Sequence, residues 1–344
     1  MVGVVATLKA LSRVEARTQK SLWSLTGNNF VIVSALIMQD AGVFIYLLLG
    51  LVILFPLAAD PLRKIPASRL NALPLTKREH WLLRIGSIWL NPMAWVIGLL
   101  AIWTMKGRVT IGLWSVIAAL ALAGFAVSWL PAVSGVCLFR QIPALPVPLN
   151  QLIRKNAREL LTTLDFYCAL LLSLSVLAFR LTTKTLPNEA LVILSVLIVI
   201  ALSTYSQCLF GLDGNAGISR YRLLPLGGWQ VLIAKDVVVI SFLILLTLPT
   251  DPLAGLGAAL IALAIGHHKS ARDPQRQMRW RFSVRKMSLS GAVLALVEAA
   301  VLYLSATSIS DRSMLFLIPC TAAWLGSLWW YGKEVEHPRG FGRY

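Results

Sequence analysis

The sequence predicts an all-α fold: a polytopic integral membrane bundle of about ten transmembrane helices with both termini on one face. Three observations predict it. The chain of 344 residues is 57% hydrophobic and only 14% charged, where a soluble domain carries about 25% charged residues, and its mean hydropathy is +0.74. Apolar runs recur at close to the roughly 17–25 residues a helix needs to cross the hydrocarbon. Finally, 27 of the 32 Lys and Arg residues fall in alternate connections between those runs. The other five are Lys106, Arg108, Arg180, Lys184 and Arg312. Basic loops are retained on the cytoplasmic side, so the charge pattern sets the orientation along with the class. The net charge of +17 is explained by topology and anionic lipid headgroups, which removes the case for nucleic acid as a partner.

Residues 1–23 have the pattern of an amphipathic helix at the membrane interface. Lys9, Arg13, Arg17 and Lys20 recur on one face, Val4, Leu8 and Leu11 on another, and Trp23 closes the segment. It lacks the unbroken apolar core and small-residue cleavage site of a signal peptide. Spans are expected near 24–39, 41–59, 87–105, 110–130, 164–181, 189–210, 232–250, 253–267, 289–308 and 313–331. The first of these holds Asn28 and Asn29, and the eighth is short and follows Pro252. Either could be re-entrant, but deleting one alone inverts every later loop and destroys the charge asymmetry. The division expected is 1–163, the interfacial helix with a four-span block, and 164–344, a second block with two extra spans. No soluble domain is expected.

Two basic loops at one offset, 60–86 and 211–235, show an internal repeat. Ser68, Arg69, Leu73, Pro74, Leu75 and Arg84 match Ser219, Arg220, Leu224, Pro225, Leu226 and Lys235, each 151 residues on. Membrane transporters are often built from such repeats. Each copy reads as a short amphipathic helix at the cytoplasmic surface, with its proline in the first turn, where no amide hydrogen is needed.

At these loops the chain resembles the permease subunits of bacterial ATP-binding-cassette transporters of the second exporter type. Phe210-Gly-Leu-Asp213-Gly214 is similar to a Phe-Gly-x-Asp-Gly of that family, and Leu224-Pro225 with Lys235 to its Leu-Pro pair and closing lysine. Residues 60–84 are similar to the corresponding stretch of the other half. The resemblance covers about 60 residues in two pieces. It implies a permease of the bacterial inner membrane, with Arg69, Leu73, Pro74, Leu75, Arg84, Arg220, Leu224, Pro225, Leu226 and Lys235 as the ATPase-coupling positions. The partner it implies is a cytosolic ATPase, and a second permease copy or a paralogue could complete the assembly. About ten spans depart from the six common in the family.

The chain contains no Gly-x-x-x-x-Gly-Lys-Ser/Thr loop, so ATP and magnesium are expected on a partner subunit and no cofactor on this chain. Gly255 and Gly257 read as helix-packing positions, and the four cysteines as small buried hydrophobes without metal spacing. His268-Lys-Ser-Ala-Arg-Asp273 has the His-x-x-x-x-Asp spacing of membrane acyltransferases, with His268 as base and Asp273 orienting it. That gives the alternative reading of an acyl-transfer enzyme, and a non-transporting scaffold is a third. Acids within spans are costly and so draw the eye to function. Glu298 is the deepest, as a lining residue or a structural partner, while Asp165 and Asp236 are expected near enough to the interface to be solvated.

Overall fold

A computed structural model describes residues 2–18, 62, 75–90, 111–129, 149–183, 186–213, 220–221, 223, 225–272, 289–311 and 313–336. Every regular element among them is helical. The chain divides into two compact units, Met1–Thr26 with Phe44–Ala132, and Gly27–Val43 with Val133–Tyr344. Among the described residues, four helical stretches are long and apolar enough to cross a membrane: Leu164–Thr182, Asn188–Asp213, Gly228–Thr247 and Met314–Glu336. They mark a membrane protein.

The first unit contains α1 (Val2–Thr18), α2 (Lys77–Ile88) and α3 (Ile111–Trp129). The interfacial helix expected over 1–23 forms over Val2–Thr18; Trp23 lies outside the described residues. Its apolar stripe has a protein partner that the sequence did not disclose. Val4, Leu8 and Leu11 pack with Leu62, Leu75, Leu83 and Leu90, and Leu83 is fully buried. Gly86 lets α1 approach, since a Cβ there would stand 3.2 Å from the Leu8 side chain.

The second unit is an antiparallel bundle of α5 (Leu164–Thr183), α6 (Asn188–Ser206), α7 (Gly228–Thr247), α8 (Pro252–Arg272), α9 (Leu289–Asp311) and α10 (Leu317–Glu336), with the shorter α4 (Asn150–Leu160) against α7. α4 was expected only as basic loop, within a first block ending at 163; it sits instead in the second unit. The helical spacing of Asn156 and Leu160 opposite Arg154, Lys155 and Arg158 was the available signal. Leu149, at φ 71°, turns the chain into it through the left-handed region that non-glycine residues rarely adopt.

α8 is the hub, packed on α6, α7, α9 and α10. Small residues make that possible. A Cβ at Gly255 would lie 2.7 Å from Thr247, one at Gly257 2.0 Å from Ile309, and one at Gly266 2.6 Å from the Ser206 carbonyl. The packing role expected of Gly255 and Gly257 is therefore what they perform. The doubtful eighth span is one continuous helix, α8, of 21 residues, about 31 Å at 1.5 Å per residue, though it is not among the four stretches apolar enough to cross. Its last turn is polar, with Lys269 and Arg272. The doubtful first span, 24–39, lies outside the described residues.

The bundle is tied at both ends. At one end Asp251 Oδ1 caps α8, accepting from the amides of Leu253 and Ala254 at 3.1 Å. Ser195 of α6 bonds Thr250 at 2.7 Å, and Arg180 of α5 donates to the Pro249 carbonyl at 2.7 Å. At the other end α10 closes on α7. Gly228 and Gly332 face each other, with a Cβ at Gly228 only 2.2 Å from the Gly332 carbonyl. The Gly228 amide donates to Glu336 at 2.6 Å. The remaining face of α9 and α10 is apolar and exposed, including Leu304, Ile318, Leu325 and Trp329.

Candidate coupling segments and their buried anchor

The repeat read from the sequence reappears in how two helices begin. α2 starts after Thr76 and α7 after Gly227, which are 151 residues apart. In each, the third helical residue folds back over the start. Glu79 accepts from the Thr76 amide at 3.1 Å, and Gln230 accepts from the Gly227 amide at 3.0 Å. Thr76 returns the bond, its Oγ1 accepting from the Glu79 amide at 3.3 Å. This reciprocal capping satisfies amides that a helix start leaves orphaned.

Two details of the expectation change. Pro225 is two residues ahead of the Gly227 cap and outside the helix, so it sets the approach of the chain rather than filling the first turn. The residues after Pro225 open a long helix, α7, whose 20 residues run on to Thr247, whereas α2 stops at Ile88 after 12.

Of the coupling positions, Arg69, Leu73, Pro74 and Leu224 lie outside the described residues. Leu75 is partly buried against the α1–α2 core, and Arg84 is half-buried. In the second copy Arg220 and Pro225 are exposed and Leu226 half-exposed. Beside them Leu223 is 86% and Trp229 50% exposed, an apolar–basic surface that the sequence reading did not single out. Lys235 is the exception. Expected at the cytoplasmic surface, its side chain is 0% exposed, because the helix containing it turns that face onto α4 and the end of α6.

Lys235 anchors a buried charge cluster. Its Nζ lies 3.0 Å from Asp213 Oδ2 and 3.3 Å from Asn156 Oδ1 of α4. The other carboxylate oxygen, Oδ1, takes a hydrogen bond from Lys155 of α4 and one from Tyr221 Oη at 3.0 Å. Phe210 and Tyr221 present their rings to Lys235 at 5.3 and 5.5 Å, a favourable seat for a desolvated cation. Three of the residues carrying the family resemblance, Phe210, Asp213 and Lys235, thus meet at one point. Glu159 completes the cluster, 3.5 Å from Lys155. Burial raises the Glu159 carboxyl above the ordinary range, against the pull of the Lys235 cation, and its Oε2 has no partner. Burial and the Asp213 carboxylate likewise push the Tyr221 phenol up. The cluster ties Asp213 and Tyr221 to α7 and α4, beside the exposed Arg220, Leu223, Pro225 and Trp229.

The acids within spans are placed differently from expectation. Asp165 and Asp236, expected to be solvated, are both fully buried, since each points along a helix face covered by neighbours. Glu298 is engaged from two sides, by Lys269 Nζ at 2.7 Å and Gln207 Nε2 at 2.7 Å. His268 shares a 2.7 Å hydrogen bond with Tyr331 Oη, and Asp273 lies outside the described residues. The described cysteines Cys168, Cys208 and Cys320 are buried and join no disulfide among the described residues.

Asp236 belongs to a second network that the sequence hid. His267 Nε2 lies 3.0 Å from Asp236 Oδ1, His267 Nδ1 2.8 Å from Ser327 Oγ, and Trp324 Nε1 donates to Asp236 Oδ2 at 2.7 Å. Asp–His–Ser in line is the order of a hydrolytic triad, here set between three packed helices. The Ser327 hydroxyl lies 2.7 Å from the Trp324 carbonyl, which competes with the histidine for its one hydrogen. Ser327 also lies inside α10, where neighbouring amides are used by the helix and cannot stabilise an oxyanion.

No protein-family model, curated protein or solved structure matches the chain.

Proposed function

We propose that the chain is the transmembrane permease subunit of an ATP-driven export system of a bacterial inner membrane. In this reading about ten spans cross the membrane with both termini in the cytoplasm. Segments 60–86 and 211–235 face a separate cytosolic ATPase, which binds ATP and magnesium. A second permease copy or a paralogue completes the assembly where one chain does not suffice. The observation that carries the reading is the repeat: two helix starts at one offset, each behind a basic Leu-Pro-Leu segment on the cation-rich side.

The path of force follows from the packing. The ATPase presses the exposed apolar–basic surface of Arg220, Leu223, Pro225 and Trp229. Asp213 and Tyr221 pass the load to Lys235 and α4, and the capped start of α7 moves as a rigid body. α8 and α10, locked to α7 through glycine contacts, follow and change access between the spans.

The test is to purify the tagged full chain from its native membranes and measure ATP hydrolysis in the eluate. Co-eluting activity is expected. Trp229→Ala, if the tryptophan is an interface hot spot of about 2 kcal/mol, weakens the association about 30-fold. A correctly inserted chain that elutes without ATP hydrolysis, or deletion of 220–226 without effect on it, refutes the assignment.

A further inference from the structure

We infer that the arginine-bearing face of α4 holds the phosphate of an anionic phospholipid, with Arg158 as its main ligand and Arg154 beside it. The inference rests on the chain being a membrane protein and is independent of ATPase docking.

α4 stands where the chain enters the membrane. Only residues 161–163 separate it from α5, whose Leu164–Thr182 is long and apolar enough to cross. The link is tight. The amides of Thr162 and Thr163 bond the Glu159 and Leu160 carbonyls at 3.0 Å, and the two threonine hydroxyls donate to the same carbonyls at 2.7 and 2.6 Å. A helix bearing Arg154, Lys155 and Arg158 is costly in hydrocarbon, so α4 is held at the depth of the lipid headgroups. Its buried face, with Asn156, Ala157 and Leu160, is taken up by the second unit. The arginines flank that face, half-buried.

The cations of α4 are used differently. Lys155 turns inward to Asp213 and Glu159. Arg158 does not. Its Nε is buried with no hydrogen-bond partner among the described residues, and none of their carboxylates pairs with it. Glu159, the one acid of α4, is engaged by Lys155, and Asp213 by Lys155 and Lys235. The Arg158 guanidinium is therefore held against the protein with no acidic partner there. Arg154 stands one turn earlier on the same face, about 5–6 Å away between Cβ atoms. Asn150 stands a further turn back, with a buried carboxamide atom that is also unbonded among the described residues. A guanidinium binds phosphate oxygens in pairs through its planar fork, and two forks one turn apart fit a phosphodiester. A zwitterionic headgroup would bring its own ammonium to the same two cations, so an anionic lipid is favoured. Asn156 and Lys155 of the same helix hold the Lys235–Asp213 pair, so a lipid seated here also fixes one wall of that cluster.

The test uses the purified full chain, stripped of lipid in a non-ionic detergent and titrated with phosphatidylglycerol while native mass spectrometry counts bound lipid. Phosphatidylglycerol is expected to bind more tightly than phosphatidylcholine, and inorganic phosphate is expected not to displace it. Arg158→Gln is expected to weaken the tightest phosphatidylglycerol site about 10-fold, through loss of charge-assisted hydrogen bonds. Arg158→Lys, which keeps the charge without the fork, is expected to weaken it several-fold. Lys333→Gln removes an equal charge from α10, where Lys333 stacks on Trp329 at 3.6 Å, and is expected to leave the site unchanged. Equal weakening by Arg158→Gln and Lys333→Gln would mean diffuse surface attraction and overturns the proposal. So does phosphatidylcholine binding as tightly, or displacement by inorganic phosphate, which would make the site one for a soluble anion. If Arg158→Gln does not fold, an undiminished affinity in Arg158→Lys overturns the proposal by itself.

Discussion

Removing the Asp213 carboxylate is expected to be far more damaging than removing its half-exposed partner Lys155. Asp213 is the counter-ion of two lysines that differ in burial: the Lys235 side chain is 0% exposed and that of Lys155 47%. In Asp213→Asn the Lys235 ammonium stays inside with only Asn156 Oδ1 at 3.3 Å, Glu159 nearby, and two aromatic rings. Breaking a buried pair from one side costs about 3–5 kcal/mol. Lys155→Met deletes a half-exposed partner and leaves Asp213 with Lys235, a loss of about 1 kcal/mol or less. Replacing both buried partners, as Asp213→Leu/Lys235→Met, is expected to recover much of the loss, because no uncompensated charge remains and Lys155 still has Glu159. Thermal unfolding in detergent, followed by a thiol-reactive dye, reports on Cys168 and Cys208, which are 0% and 8% exposed and react once the second unit opens. Asp213→Asn no more destabilising than Lys155→Met would refute the reasoning, since the pair would then behave as a solvated one.

Burial holds the Glu159 carboxyl raised, so the stability it contributes is fully present below the ordinary carboxyl range and is lost as pH rises through the raised value. Glu159→Gln fixes the neutral form and is expected to be the more stable protein at neutral pH, with a flatter pH series of melts; an unchanged pH dependence counts against it. Gly228→Ala forces a Cβ to 2.2 Å from the Gly332 carbonyl and should cost about 1–3 kcal/mol by overpacking. Gly326→Ala meets nothing within 4 Å and should gain about 0.5–1 kcal/mol as a helix substitution; melts of the two variants must move in opposite directions. Thr76→Ala removes the cap of α2 and should cost about 1 kcal/mol, read as faster amide hydrogen exchange over Lys77–His80 with the rest of the chain unchanged.

Helical class and the repeat were legible because they are written in local patterns. Apolar runs of span length, a basic residue at each matching loop end and a proline at a fixed offset survive without knowledge of any contact. The pairing of Thr76 with Glu79 and of Gly227 with Gln230 was also local, three residues apart, and was passed over in favour of the prolines. α4 is harder to read for a related reason: its 11 residues are basic and lie between Pro148 and the apolar run that opens at Leu164, where a loop reads equally well.

What the sequence determined by itself is the partition of the chain between apolar and aqueous surroundings, since composition and charge spacing act on each segment separately. Which charges meet was decided only by tertiary structure. Lys235 and Asp213 are 22 residues apart, Asp236 and His267 31, and Glu298 and Lys269 29. Nothing in one segment discloses that its lysine will be desolvated by another. A buried ion needs a partner within about 4 Å, and only the crossing of α4, α7, α8, α9 and α10 supplies it.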